Sequence, residues 1–308
     1  MKAIMYHYVR QFDNKHPNFR FLDIAQFQKQ LDFFEQNFGF VDKDEWNQFI
    51  NEGKTPSRKG KVLLTFDDAL YCQYEYVVPE LTRRGLWGIF YVPTLPYIKK
   101  TILDVHKIHL LCGAFEAKSL LRFTLNLVNE DMIPDKKRKD FREKTYINQE
   151  NFESVSELKR LLNYFVEYKY RSLLIEEIRK EFDYKFDHPS FYISYENLVN
   201  MKNKGMIIGS HTESHLVMSK LSKEEQFKQI NNSFNFLNDL FDAKHKTYSH
   251  PYGGFHSFNN HTKKVLLENN VRYSFNVESR EIDGSDYQNS MHHLPRYDCN
   301  EFEFGKAS

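Results

Sequence analysis

Cysteine is scarce in this chain, and the scarcity removes several kinds of fold at once. Only Cys72, Cys112 and Cys299 occur in 308 residues, an odd number, far apart and without a CxxC pair. Neither a disulfide framework nor a structural zinc knuckle is indicated, and a reducing compartment is expected. Long apolar runs are lacking as well. No stretch approaches the roughly 18 uncharged apolar residues of a membrane helix, and Met1–Arg10 has no apolar core of the secretory type, so the expected location is cytoplasmic, with no transmembrane segment. Charge of one sign is not in excess: 43 basic and 42 acidic residues leave a net +1. That balance offers no field to draw nucleic acid or an anionic membrane surface. Repeats and low-complexity tracts are absent.

What is present is enough chain for one large α/β barrel or two modest domains. Ile4–Val9 reads as a first strand, and Phe27, Leu31, Phe34 and Phe38 recur at the spacing of an amphipathic helix. Lys61–Phe66 and Leu86–Val92 have the continuous apolar character of buried strands, with Val77, Val78 and Leu81 in a helix between them that ends near Gly85. This alternation predicts a parallel sheet or barrel. From about residue 96 to 192 the rhythm turns helical, with stripes at Ile108, Leu111 and Phe115, at Leu120, Phe123 and Leu127, and at Leu158, Leu161, Leu162 and Phe165. The basic stretch Pro134–Lys139 reads as a solvated loop or helix face. The predicted organisation is therefore a first barrel part over 1–95, a helical insertion over 96–192 and a second barrel part over 193–308. In that last part a helix over 195–204 precedes a strand over 206–210. Ser222-Lys223-Glu224-Glu225 opens a helix with a capping box, and strands follow at 245–249, 271–277 and 292–297.

Two short segments carry the chemistry. Thr65-Phe66-Asp67-Asp68 closes one apolar run, and about 140 residues later Ser210-His211-Thr212-Glu213-Ser214-His215 closes another. Adjacent strand residues point to opposite sides unless the chain turns, so a turn is needed for Asp67 and Asp68 to share a site. A helix N-cap is the plain alternative for either aspartate. His211 and His215, four apart, suit one metal ion whether on a helical turn or in a tight loop, with Ser210, Thr212 and Ser214 as candidate partners for the rings. Asp68, His211 and His215 together make two imidazoles and one carboxylate, leaving positions open for water and substrate. Sixteen per cent of the residues are aromatic, which serves core packing first and sugar stacking second.

Those two segments and Pro251-Tyr252-Gly253, in that order, resemble the first three motifs of the polysaccharide deacetylases, carbohydrate esterase family four. The resemblance covers residues 1–95 and 193–300. It implies a distorted, incomplete (β/α) barrel with its site at the C-terminal strand ends. It also implies a hydrolase that removes an N-acyl group, acetyl first, from an amino sugar in a carbohydrate substrate. By position, Asp67 matches the general base, and Asp68, His211 and His215 match the ligands of a divalent metal, zinc first, with iron, cobalt, nickel or manganese as alternatives. The Pro251-Tyr252-Gly253 turn matches the segment whose backbone N–H, at Tyr252, helps hold the oxyanion.

Ser249 stands where many members have an arginine, and no C-terminal Leu-x-x-His occurs. Tyr6-His7 and Leu294-Pro295-Arg296 instead resemble another branch of the family, which implies His7 as general acid and Arg296 as partner of Asp67, with Asp298 and Asn300 near the same rim. The plain alternatives are a His7 bonded to backbone and a surface Arg296–Asp298 pair. His250, His256, His292 and His293 compete with His7 for the acid role. The insertion is expected over or beside the catalytic face, shaping access. A nucleotide-linked, lipid-linked or oligomeric precursor of a surface polysaccharide or glycoconjugate is the expected substrate. The rival classes are a mononuclear iron oxygenase and a non-catalytic sugar-binding module.

Overall fold

In a computed structural model, which describes residues 1–133, 153–241 and 245–307, the chain divides into two compact units. The first comprises Met1–Gln11, Phe21–Thr101 and Pro189–Ser308; the second comprises Phe12–Arg20 and Ile102–His188. The stretch 12–20, which has no helical signal of its own, thus groups with the helical segment rather than with the residues flanking it. Pro134–Lys139 lies outside the described residues.

The first unit is built on seven parallel strands. In chain order they are β1 (Lys2–Tyr6), β4 (Val62–Phe66), β5 (Ile89–Val92), β6 (Ile207–Ser210), β7 (Thr247–Ser249), β8 (Tyr273–Phe275) and β9 (Tyr297–Asp298). A separate parallel pair, β2 (Val9–Arg10) with β3 (Leu22–Asp23), follows β1. The sheet order is β8-β7-β6-β5-β4-β1-β9. The run 291–298 links the two edges. Leu294 bridges Phe275 of β8, and Tyr297 and Asp298 then pair with Ile4 and Met5 of β1. The seven strands form a curled half-barrel with surrounding helices. The single predicted strand over 292–297 is split because its two ends serve two different neighbours.

Alternation along the strands assigns the two faces. Ala3, Leu63, Ile89, Tyr91, Ile207, Tyr273, Phe275 and Leu294 lie in one apolar cluster with Trp46 and Phe49. Ile4, Tyr6, Val62, Leu64, Phe66, Phe90, Val92 and Ile208 lie in another, packed against Phe27, Leu31, Phe34, Val78 and Leu81 from the helices. Both faces are covered, which is why the strands read as continuous apolar runs. Ile24–Asn37 is the predicted Phe27/Leu31/Phe34 helix, capped by Asp23. Lys223–Phe236 begins with the predicted capping box, in which Ser222 accepts from the Glu225 N–H and Glu225 accepts from the Ser222 N–H.

The second unit is helical: Asp104–Ala114, Ala117–Leu127, Glu153–Arg160 and Tyr168–Glu181 surround their own core of Ile108, Leu111, Leu120, Leu162, Ile175 and Ile178. His16 joins the 12–20 segment to it, with Nδ1 2.7 Å from Asp13 and Nε2 2.6 Å from the Tyr184 hydroxyl. Among the described residues no helix is long and apolar enough to cross a membrane.

Candidate active site

Positions on the inward face of each strand continue past the strand ends in the same phase. Leu63 and Thr65 lead to Asp67, Ile207 and Gly209 to His211, Thr247 to Ser249, and Leu294 to Arg296. These side chains are all buried: Asp67 is 2% exposed, His211 1%, and Ser249 and Arg296 0%. Asp68 is out of phase by one residue and on a straight strand would face away. It does not, because the chain turns there: Asp68 has φ 79° and Ala69 φ 51°. Left-handed backbone at non-glycine residues costs energy and persists only where surroundings enforce it.

The turn aims Asp68 at both histidines. Its Oδ1 lies 3.4 Å from His215 Nε2 and 3.6 Å from His211 Nε2. The two rings are 4.6 Å apart and nearly perpendicular. Two ligands bound at about 2.0–2.2 Å to one tetrahedral ion stand about 3.3–3.6 Å apart. Both carboxylate–imidazole separations fall in that interval, so the donor set fits a single small divalent cation. Among the described residues this is the one group of three acidic, histidine or cysteine side chains with such convergence.

His211 donates from Nδ1 to the Ser249 carbonyl at 2.8 Å, which leaves Nε2 as the unprotonated nitrogen facing Asp68. Burial lowers the imidazole pKa further than the neighbouring Asp67 and Asp68 raise it, so the ring is held neutral. The expected hydroxyl partners for the rings are a correction. Ser210 Oγ accepts from the Thr212 N–H, Thr212 Oγ1 accepts from the His215 N–H, and Ser214 pairs with Gln229. They shape the loop backbone, where Thr212 and His215 have φ 65° and 52°, and the loop is not a helical turn.

Asp67 sits beside this set, with Oδ2 3.9 Å from His211 Nε2. Arg296 grips it with two parallel bonds, Nη1 to Oδ1 at 2.8 Å and Nη2 to Oδ2 at 2.7 Å. Ser249 Oγ accepts from Arg296 at 2.8 Å and donates to Asp67 at 3.2 Å, while Thr65 Oγ1 takes the remaining Nη1 hydrogen at 3.1 Å. Burial alone would raise the Asp67 pKa. Arg296 and His211 outweigh it and bring the carboxyl down to about 2. Arg296 therefore makes no surface pair with Asp298. That carboxylate instead caps the turn Cys299–Glu301, accepting from the Asn300 N–H. His7 follows β1 in the inward phase and is half-buried.

The third segment is a tight turn after β7. Gly253 donates to the His250 carbonyl at 3.1 Å, Tyr252 has φ 67° and Gly253 φ 56°. Only glycine fits there, since a Cβ on Gly253 would meet the Val277 side chain at 2.2 Å. The Tyr252 ring packs edge-on to His215, 4.9 Å between centroids. The rival histidines occupy the flank of this turn. His250 stacks on Phe258 at 3.9 Å and contacts the His292 carbonyl at 3.0 Å, and burial takes its pKa down to about 3. Burial also lowers the pKa of both His292 and His293.

Ser249 and Gln73 are the residues that motif reading passed over. Ser249 was visible only as a missing arginine, although its carbonyl and hydroxyl serve His211, Asp67 and Arg296 together. Gln73 belongs to no motif.

Residues 184–274 match the family model described as polysaccharide deacetylase; they include His211, His215 and the Pro251–Gly253 turn but not Asp67, Asp68 or Arg296. No curated protein sequence matches the chain significantly. Three solved structures share the fold. Deacetylase PplD of Streptococcus pyogenes, in complex with acetate, is 13% identical with a TM-score of 0.56 over 97% of this chain and 91% of its own. IcaB of Ammonifex degensii is 14% identical, TM-score 0.54, over 96% and 90%. A de-N-acetylase of Aggregatibacter actinomycetemcomitans is 12% identical, TM-score 0.52, over 96% and 93%. Residues 184–274 are thus similar in sequence to polysaccharide deacetylases, and the chain shares the incomplete (β/α) barrel fold of these structures.

Proposed function

We propose that this chain is a metal-dependent carbohydrate de-N-acetylase. Its substrate on this reading is an N-acetylated amino sugar in a surface polysaccharide or glycoconjugate precursor. The observation that carries the reading is the placement of a buried Asp–His–His donor set beside a second, Arg-paired aspartate on one rim of the barrel. Two of the similar structures are of a deacetylase with acetate and a de-N-acetylase, which agrees with this chemistry.

Asp68, His211 and His215 are assigned to hold the ion, with zinc first on the preference for nitrogen and oxygen donors in a three-ligand open site. When bound, such an ion polarises a carbonyl and makes water acidic near neutral pH. The remaining work falls to side chains and backbone. Asp67, kept ionised by Arg296, is assigned to take the proton of the attacking water. The same pairing makes it a weaker base, so the guanidinium trades basicity for a carboxylate that is charged at every working pH. The Tyr252 N–H is assigned to the oxyanion. His7 is assigned to protonate the departing nitrogen as the C–N bond breaks, leaving acetate and a free amine. Pro251 and Gly253 hold the turn, and Asp298 steadies the rim near β9.

The test is acetate release from zinc-loaded protein incubated without oxygen with N-acetylhexosamine oligomers and nucleotide-linked N-acetyl sugars, with the deacetylated product followed by mass spectrometry. Absence of acetate from every such substrate by fully metal-loaded protein would overturn the reading.

A further inference from the structure

The parallel ladder between β1 and β4 ends at Tyr6 and Phe66, and its last bond runs from the Asp67 N–H to the Tyr6 carbonyl at 2.9 Å. Beyond it two carbonyls are left, those of His7 and Asp67. One side chain serves both: Gln73 Nε2 donates to the Asp67 carbonyl at 2.6 Å and to the His7 carbonyl at 2.9 Å. Gln73 is fully buried and opens a π-helical turn, Gln73–Val77, anchored by its own N–H on the Leu70 carbonyl. Because both partners are acceptors, the amide orientation is set by chemistry. Its Oε1 is buried with no partner among the described residues. The side chain is therefore held for its donors, at the expense of its acceptor.

The peptide between Asp67 and Asp68 is the pivot that turns the Asp68 side chain toward His211 and His215, and Gln73 pins the carbonyl of that peptide. We infer that Gln73 is a positioning residue: by bridging the ends of β1 and β4 it fixes His7, Asp67 and Asp68 in one relative geometry. The inference rests on the roles proposed above for those three residues. Interrupted helical hydrogen bonding of the π type recurs at functional sites, which accords with a residue placed for geometry.

Gln73→Met keeps the volume and removes both donors. It should lower kcat for amide cleavage about 100-fold, as small misplacements of reacting groups do, with KM little changed. It should also weaken zinc binding roughly tenfold in competition with a chromophoric chelator, a readout independent of turnover. Gln73→Glu keeps one donor when its carboxyl is neutral and none when ionised, so relative to wild type its metal affinity and activity should fall as pH rises. A space-filling residue would give neither effect: Gln73→Met with wild-type kcat and zinc affinity, or Gln73→Glu with pH profiles parallel to wild type, overturns the inference. Were the wild-type protein to release no acetate, a loosened zinc site in Gln73→Met would uphold Gln73 as a positioning residue while the proposed reaction fell. An unchanged site would overturn both. If Gln73→Met does not fold, the pH dependence of zinc binding in Gln73→Glu decides.

Discussion

Toward the N-terminal ends of the sheet strands the inward positions are Ala3, Leu63, Ile89, Ile207 and Tyr273, packed with Trp46 and Leu294; at and just past the C-terminal ends of β4, β6 and β7, and in the 291–298 run, stand Thr65, Asp67, His211, Ser249 and Arg296, all buried and joined by hydrogen bonds. The first region is held by burial of apolar area, which has no direction and tolerates changes of shape. The second is held by bonds whose loss on one side leaves a buried polar group without its partner, which is costly. Backbone strain follows the same division. Of nine non-glycine residues with positive φ among those described, five (Asp68, Ala69, Thr212, His215 and Tyr252) lie in the three loops of the polar end. Substitution should thus cost stability at either end but function only at the polar one.

The largest effect should come from the donor set. Replacing Asp68, His211 or His215 with Ala should remove stoichiometric zinc and reduce amide cleavage by roughly 1,000-fold or more, while circular dichroism stays native. Full metal occupancy in all three variants would show that the polar end serves structure alone. Asp67→Asn should keep the metal and still lose turnover, because it removes the base and no ligand.

His7→Ala separates roles within the polar end. An amine leaves poorly unless protonated, so the amide rate should fall about 10²–10⁴-fold, with much less change for an activated phenyl ester. Equal losses on both substrates would move the acid role to another group.

Trp46→Ala and Arg296→Met should cost stability to a similar degree and function very differently. Removing the indole from the apolar end should destabilise by about 3–5 kcal/mol, with kcat per folded molecule unchanged. Removing the guanidinium leaves the Asp67 carboxylate buried and unpaired, also worth about 3–5 kcal/mol, and should shift the acid limb of activity upward because the Asp67 pKa rises. With Arg296 present, Asp67 titrates at about 2 in the folded chain and near 3.9 unfolded. Its contribution to stability is then complete above about pH 4 and lost as pH falls through 2. An unshifted acid limb in Arg296→Met would mean that Asp67 is not the titrating base.

The smallest effect concerns His250. Its folded pKa of about 3 lies below the unfolded value near 6.5. As pH falls through 6.5 the unfolded chain takes up a proton that the folded chain refuses, so stability present above 6.5 drains away toward pH 3. His250→Phe keeps the stack on Phe258 and should flatten that decline, with a change of about 1 kcal/mol or less at pH 8. Urea titrations at pH 5 and 8 would show it; parallel losses at both pH values would remove His250 from the acid response.

Much of the barrel was legible in the chain because both faces of the sheet are covered. Continuous apolar runs such as Val62–Phe66 follow from that burial, and the Ser222 capping box announces its helix by residue type alone. The short strand at Tyr297–Asp298 was less legible, since its predicted run is shared between β8 and β1 and neither partner is near it in sequence. The candidate donors were legible as residue types at strand ends. The ring partner of His211 was not, because a backbone carbonyl leaves no mark of residue type, and Gln73 was missed because a lone glutamine carries no pattern.

Local order thus determined which residues stand at strand ends, how they alternate and where the chain can turn. The resemblance implied Arg296 as the partner of Asp67, but only the tertiary structure decided between that pair and a surface pair with Asp298, which caps a turn instead. The reason is distance along the chain: Asp67 and Arg296 meet across 229 positions, so their pairing depends on how the 291–298 run spans the gap between β8 and β1, a closure that no local propensity encodes.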